Sequence, residues 1–344
     1  MSDVLFIALC TLLSNGEDFE DMVEFGHQRR GWLTDLLGLP NGIPAHDTFN
    51  RVLQIIDPDA LSACLAQGGE ALLALVKGGL VSFDGKKLRG VSPHSKGTSG
   101  LFILSAWVSE RRLCIGQKKV EEKSNEAKAV PALLSELGNT LEGATVSIDA
   151  IGCQRDIAEQ ILHTGAEYLL SVKDNQKGLL EEVSEAFRFC PPAPQDHSWE
   201  YGHGRFEERK CDVLPAREVL SPGLLSKWKG LQSVVRIVSS RELNGIKSTE
   251  TRFYISSDKG KGPDHYNRFV RGHWGIENHL HWHLDVTFNE DASRARKGNA
   301  PQNLNILRKA ALFRISQMND SLSLKKRRFR ASLNNDYLID LLNL

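Results

Sequence analysis

Net charge is missing from this chain. Across 344 residues, 43 lysines and arginines balance 43 aspartates and glutamates. No global field attracts a polyanion or repels one, so any nucleic-acid contact must come from local clusters. Cysteine is sparse and unpaired. Cys10, Cys64, Cys114, Cys153, Cys190 and Cys211 stand singly, without the close pairs of a zinc site or the density of a disulfide framework, which suits a reducing cytoplasm. Long apolar runs are absent as well. Residues 4–13 are apolar but only about half the length that spans a bilayer. They follow no basic leader and precede no cleavage site, so they read as a core helix and the expected location is cytoplasmic. The apolar (41%) and charged (25%) fractions are those of an ordinary soluble protein, long enough for one large domain or two to three smaller ones.

Residues 3–75 read as helical throughout. Their apolar faces are built in turn from Phe6, Leu9, Leu12 and Leu13, from Phe19, Met22, Val23 and Phe25, and from Trp32, Leu33, Leu36 and Leu37. Pro40, Asn41, Gly42 and Pro44 interrupt the pattern, and Asp47 is a cap candidate for the helix that follows. At Gly78-Gly79 the pattern turns to strands: 80–86, ending on Asp84 and a glycine turn, then 101–108 and 113–117. Next come a helix through 127–137 with Ser124 as its cap, a strand at 144–150 ending on Asp149, a helix at 157–162 and a strand at 168–173. Three strands, then helix, strand, helix, strand, is an α/β layer arrangement. A proline-rich break at 190–194 leads into a mostly β region, with strands expected at 205–214, 230–239 and 250–255 and a hairpin turn at Asn244-Gly245. Helix returns at Asp264. Asn299-Ala300-Pro301 opens another amphipathic helix, and Lys325-Lys326-Arg327-Arg328 with Arg330 follows as a basic tail.

The densest chemistry lies at 273–285, where histidines, carboxylates and two tryptophans crowd together. Helical spacing sets Phe269, Val270, Trp274, Leu280, His281 and Leu284 in one apolar stripe, with Glu277 inside it and facing the core. A carboxylate there needs a partner, and a divalent metal is the working reading. Asp84 and Asp149, each expected to end a strand, add the hard oxygen ligands that Mg²⁺ prefers. Two such ions about 3.5 to 4 Å apart would serve attack on a phosphodiester and departure from it. The plain alternative for each aspartate is a turn former. His279, His281 and His283 alternate, but only His279 and His283 share a helical face, and no cysteine pair or HExxH spacing accompanies them, so a polar surface or DNA-facing role is expected rather than zinc. Trp274 and Trp282 read as core. Lys173 beside Asn175, and Lys86, Lys87 and Arg89 beside Asp84, either meet a phosphate or decorate solvated turns. The 325–330 run is a solvated face or a phosphate-binding strip, and Gly202-His203-Gly204-Arg205 with Arg209 reads as a DNA-contacting hairpin end.

Five motifs then act together: Phe83-Asp84-Gly85-Lys86-Lys87-Leu88-Arg89-Gly90, Glu122-Lys123-Ser124-Asn125-Glu126, Ile148-Asp149-Ala150-Ile151-Gly152-Cys153-Gln154, Lys173-Asp174-Asn175-Gln176 and His273-Trp274-Gly275-Ile276-Glu277-Asn278. They resemble the bacterial insertion-sequence DDE transposases of the H-repeat-associated protein family, and Gly42-Ile43-Pro44-Ala45-His46-Asp47-Thr48-Phe49 resembles that family's helical N-terminal module. The resemblance implies a ribonuclease-H-like catalytic core with a β-rich insertion. The expected division is a helical module at 1–75, the first part of the core at 76–186, the insertion at 187–262, the C-terminal catalytic helices at 263–320 and the basic tail at 321–344. It implies Asp84, Asp149 and Glu277 as catalytic and metal-holding residues, Mg²⁺ or substituting Mn²⁺ as cofactor, and DNA contacts from Lys86, Lys173, Arg205, Arg271, Arg294 and Arg296. The implied partners are the element's terminal inverted repeats and target DNA, bound by a homo-oligomer, in a bacterial cytoplasm and at the nucleoid when acting. Two departures stand out. Related transposases often carry arginine four residues before the glutamate and lysine seven after, where this chain has His273 and Leu284, with Arg271 or the 294–297 cluster as substitutes. The chain also starts directly within its first apolar helix, as a truncated reading frame would. Competing readings are therefore a degenerate transposase that binds DNA without cutting it, a metal-dependent nuclease without strand transfer, and a structural protein whose carboxylates are salt-bridged to Arg89, Arg271 or Lys173.

Overall fold

The computed structural model describes residues 1–65, 74, 76–91, 101–120, 126–190, 196–202, 205–243 and 245–343. Expectations for Ser124, His203, Gly204, Asn244, the 191–194 prolines and most of the 122–126 motif fall outside them.

A nine-stranded sheet runs in the order β3-β2-β1-β4-β5-β9-β8-β7-β6. Its first half comprises β1 (Leu80–Leu88), β2 (Leu101–Val108), β3 (Leu113–Val120), β4 (Thr145–Ile148) and β5 (Glu167–Val172). β1 pairs antiparallel with β2, and β2 with β3, while β1, β4 and β5 run parallel. This is the ribonuclease-H-like α/β order. β4 is buried at every position, as a central parallel strand covered on both faces must be. The second half, β6 (Asp196–Gly202), β7 (Arg205–Pro215), β8 (Ser233–Leu243) and β9 (Ile246–Ser256), is antiparallel, and β9 pairs with β5. The β-rich region is thus an extension of the central sheet, in continuous hydrogen bonding with it.

Alternation along the strands divides the molecule into two sides. Val81, Phe83, Phe102 and Leu104 face a core closed by α6 (Glu126–Leu137), α7 (Arg155–His163) and α8 (Lys177–Phe189) through Leu133, Leu134, Ile157, Ile161 and Val183. The opposite side is covered by α9 (Pro263–Ile276), α10 (Trp282–Val286) and α11 (Ala300–Gln317). Tyr266, Phe269 and Val270 of α9 pack on Leu80, Leu169, Val235 and Tyr254. Gly272 lets α9 settle onto β1, since a Cβ there would come within 2.7 Å of Leu80.

The N-terminal helices α1 (Ser2–Leu13), α2 (Phe19–Gln28), α3 (Arg30–Leu37), α4 (His46–Ile55) and α5 (Pro58–Leu65) share one core with α10 and α11, with Ile7, Leu12, Phe49 and Leu53 meeting Leu284, Leu304, Leu307 and Leu312. Ala300–Gln317 begins with proline in its first turn after Asn299, as the sequence suggested.

The basic run is not a tail. It lies in α12 (Leu324–Leu333), followed by α13 (Asn335–Asn343). Arg327 and Arg328 are buried there. Arg328 donates to the carbonyls of Leu12 (2.8 Å), Gly16 (2.9 Å) and Thr287 and lies 4.3 Å from the Phe288 ring centroid. Arg327 donates to Asp320 and to the Ile315 carbonyl, both at 2.7 Å. Their planar forks satisfy several carbonyls at once, so these charges bind the N- and C-terminal helices together rather than facing solvent.

Candidate active site

Asp84 does not end its strand. β1 continues through Leu88 beside β2, with Asp84 opposite Ser105. It ends only the parallel pairing, because Phe83 lies opposite Ile148, the last residue of β4. Asp149 is the next residue of β4's chain, so the two aspartates leave adjacent parallel strands at the same level, a strand spacing of about 4.8 Å apart along the sheet.

The third carboxylate comes from an irregular helix. After α9 the backbone forms a π turn over Glu277–His281 before α10 resumes. Uniform α-spacing placed Glu277 in the apolar stripe, but the structure has it exposed. Ile276, Leu280 and Leu284 hold the core positions, and Trp282, also read as core, is 51% exposed. A π turn adds a residue to one turn and so resets which side chains face inward. Among the described residues no side chain pairs with Glu277. Its charge is nonetheless felt at Asp84, whose carboxyl is pushed up to about 6 by burial and by Asp149 and Glu277, against the opposing pull of His273.

Two histidines meet the two aspartates. His273 Nε2 lies 3.5 Å from Asp149, and its Nδ1 is 2.8 Å from Ser147 Oγ. That contact, with Lys173 and Arg252 nearby, holds the Asp149 carboxyl below the usual range despite partial burial. His281 Nδ1 lies 3.5 Å from Asp84, and burial, with Lys309 and Lys86 close by, depresses the imidazole to about 3. Helical spacing had set His281 in the apolar stripe, where the structure keeps it; its contact with Asp84 was not anticipated, because a polar or DNA-facing role was expected of the histidines. Arg252 was missed altogether. It reaches across from β9 to lie 4.4 Å from the Trp274 ring centroid, a placement that needs the sheet to extend past β5.

The expected DNA contacts separate into groups. Lys86 is withdrawn from any phosphate: it points to the same sheet face as Asp84, is buried, and its Nζ is held by Asp285 (2.7 Å), Glu290 (3.1 Å) and Asp291 (3.6 Å). Glu290 is itself buried, and although burial pushes its carboxyl up, Arg308 and Lys86 bring it below the ordinary value. Lys173 is exposed beside Asp149, and Arg271 is exposed and paired with Glu200. Arg294 and Arg296 are exposed and line, with Lys297, Asn50 and Phe19, a cavity of about 420 Å³ between the N-terminal helices and the loop after α10. Arg296 also donates to the Gly90 carbonyl at 2.9 Å, and Gly90 is glycine because a Cβ would lie 2.2 Å from the Ser293 carbonyl oxygen. Arg205 is the first residue of β7. Among the described residues no group of three or more His, Cys, Asp or Glu side chains is arranged to hold a metal as it stands, and no helix is long and apolar enough to cross a membrane.

Two strand aspartates thus stand at one level, with a glutamate on the helical segment that covers them, and comparison with known proteins supplies the family. Residues 51–314 match the model of the transposase DDE domain, and residues 1–67 match the associated N-terminal model. The chain belongs to the DDE transposase family. This DDE protein is 35% identical to "Putative transposase YncI" of Escherichia coli O157:H7, over 99% of its own length and 89% of that protein's. It is 33% identical to "H repeat-associated putative transposase YhhI" of Escherichia coli strain K12, over 99% and 92% of the two chains. An uncharacterised Xanthobacter autotrophicus protein is 41% identical over 75% of this chain and 87% of its own. Among solved structures, the piggyBac transposase synaptic complex with hairpin DNA is a distant likeness, with TM-score 0.45 and 12% identity over 100% of this chain and 73% of that one.

Proposed function

We propose that this DDE protein is a DNA transposase that hydrolyses phosphodiesters at transposon ends and joins the freed 3′ hydroxyl to target DNA. Asp84, Asp149 and Glu277 are its catalytic carboxylates, with Mg²⁺, or Mn²⁺ in its place, as cofactor. The observation that carries the reading is the level placement of Asp84 and Asp149 on adjacent parallel strands, with Glu277 close enough to raise the Asp84 carboxyl. The donor set fits a hard divalent cation: three carboxylates and no thiolate, with mutual repulsion that a cation relieves. Ions held there would activate the attacking water or hydroxyl and neutralise the departing oxygen. The protein's own part is positioning. The sheet fixes the two aspartates, the π turn after α9 carries Glu277, and exposed Lys173, Arg271, Arg294 and Arg296, with Arg205 opening β7, engage DNA phosphates. Terminal inverted repeats and target DNA are the partners, bound by a homo-oligomer.

Cleavage of a labelled element end in Mg²⁺, measured beside DNA binding, tests the reading. Asp149→Asn, Asp84→Asn and Glu277→Gln should each abolish cutting while binding persists. Full cleavage by Asp149→Asn would sink the assignment. A second reading, binding without cutting, is favoured by the buried Leu284 in place of the usual lysine, and it expects no cleavage from the wild-type chain in the same assay.

A further inference from the structure

Neither aspartate of the site is left to solvent alone. Asp149 has the imidazole of His273 at 3.5 Å and Asp84 that of His281 at 3.5 Å. These histidines stand eight residues apart on one helical path, with Glu277 midway between them. In a regular α-helix, at about 100° per residue, positions eight apart diverge by about 80° around the axis. The π turn over Glu277–His281 winds more slowly than an α-helix, which takes out most of that divergence. His273 and His281 are thereby brought toward one line facing the sheet, one histidine over each aspartate.

What lies behind each ring argues against accident. His273 rests on a chain of hydroxyls: Ser147 Oγ is 2.8 Å from its Nδ1 and 3.3 Å from Ser82 Oγ, and Ser109 is 3.4 Å from Ser82 and donates to the Gly272 carbonyl of α9 at 3.0 Å. His281 is 14% exposed, and its Nε2 is sealed from solvent with no hydrogen-bond partner among the described residues. A polar nitrogen buried in this way costs stability, and an apolar residue in the same space would avoid the cost. The contact of Nδ1 with Asp84 is what the imidazole supplies in return.

We propose that His273 and His281 are positioning residues, one for each aspartate, which hold the two carboxylates in the orientation that receives a divalent cation. This rests on the proposed metal-holding role of Asp84 and Asp149. The histidines act through the aspartates, as hydrogen-bonded partners behind a metal's ligands do, and removing such partners typically weakens metal affinity about 10- to 100-fold.

The test is Mn²⁺ titration calorimetry on the full chain without DNA, with thermal melts alongside. His273→Leu and His281→Leu fill similar space without an N–H, and His273→Gln and His281→Gln restore one. Each Leu variant should bind Mn²⁺ about tenfold or more weakly, with the Gln variants recovering most of the loss and every variant still melting cooperatively without metal. Leu variants that bind Mn²⁺ like the wild type would overturn the proposal, and so would Gln variants as weak as the Leu ones. Should a Leu variant fail to melt cooperatively, His273→Ala or His281→Ala takes its place under the same criterion. Asp84→Asn and Asp149→Asn separate the two levels of inference. If they bind Mn²⁺ as the wild type does, the metal site itself is refuted. If they lose it while the Leu variants keep it, only the histidine assignment falls.

Discussion

Val81, Phe83, Phe102 and Leu104 point from the sheet into a core of Leu133, Leu134, Ile157 and Val183, while Ser82, Asp84 and Lys86 of β1, Ser105 of β2 and Gln117 of β3 point to the other side. There they meet His281, Glu290, Arg308 and Lys309. The first side needs only complementary shape, because apolar contact is non-directional. The second needs a partner for nearly every atom, since an unpaired buried charge is far more costly than a small void. Most partners are present: Lys86 has three carboxylates, and Glu290 has Lys86, Asn305 at 2.9 Å and Arg308 at 3.6 Å. Lys309 donates to two neutral groups, Ser105 at 2.7 Å and Gln117 at 2.6 Å. A fold that carries so much charge on one side of its sheet is organised around the carboxylates it displays there.

The largest effect expected from that contrast is in stability. Glu290→Ala strands Arg308 and removes one anchor of Lys86, a loss of about 4 kcal/mol by the usual cost of breaking a buried ion pair. Leu134→Ala on the apolar side should cost about 3 kcal/mol through its cavity. Urea melts of both variants measure the difference, and a Glu290→Ala penalty smaller than that of Leu134→Ala would break the comparison.

Within the charged side, the two aspartates should respond in opposite directions. Asp84 titrates near 6 in the folded chain against 3.8 ordinarily, chiefly through burial. Below about pH 4 the carboxyl is protonated in both states and Asp84→Asn changes little. Between about pH 4 and 6 the unfolded chain ionises this carboxyl while the folded one holds its proton, so the wild type loses stability across that range and metal-free Asp84→Asn becomes the more stable protein, by roughly 2 kcal/mol above about pH 6 after allowance for the part of the side chain still in water. A divalent ion should reverse that order. Asp149, held below its ordinary value by His273, contributes stability above the unfolded carboxyl's titration and loses it as pH falls through the folded one, so Asp149→Asn should melt lower at neutral pH. Thermal melts in EDTA from pH 4 to 8 decide both signs, and matching shifts would refute the asymmetry.

The core strands were legible because periodicity and motif coincided. Strands at 80–86, 101–108 and 168–173 were expected from short apolar runs, and the structure has β1, β2 and β5 there. What escaped was whatever depends on a change of register or on distant neighbours. The π turn defeated uniform 3.6-residue spacing, so Glu277 was placed inward; His281 stood in the inward stripe, but its contact with Asp84, nearly two hundred residues away, left no mark on the sequence. Lys86 read as a phosphate ligand because the carboxylates that hold it come from residues 285–291, roughly two hundred positions away. Arg327 and Arg328 read as a tail because carbonyl partners leave no mark on a sequence.

The smallest expected effect is at the rim of the charged side. Arg271 and Glu200 pair with each side chain about half exposed, and pairs of that kind are worth about 0 to 1 kcal/mol once solvent screening and side-chain entropy are counted. Arg271→Ala should therefore leave the melt almost unmoved, in contrast to Glu290→Ala. Its consequence belongs to DNA. If Arg271 exchanges Glu200 for a phosphate when DNA binds, the variant loses one counterion-releasing contact, and the slope of log affinity against log salt should flatten by about 1. Glu200→Gln, which frees the guanidinium in advance, should tighten binding at low salt. A salt slope unchanged in Arg271→Ala would assign that arginine to the rim of the fold alone and leave Lys173, Arg294 and Arg296 as the basic groups to test next.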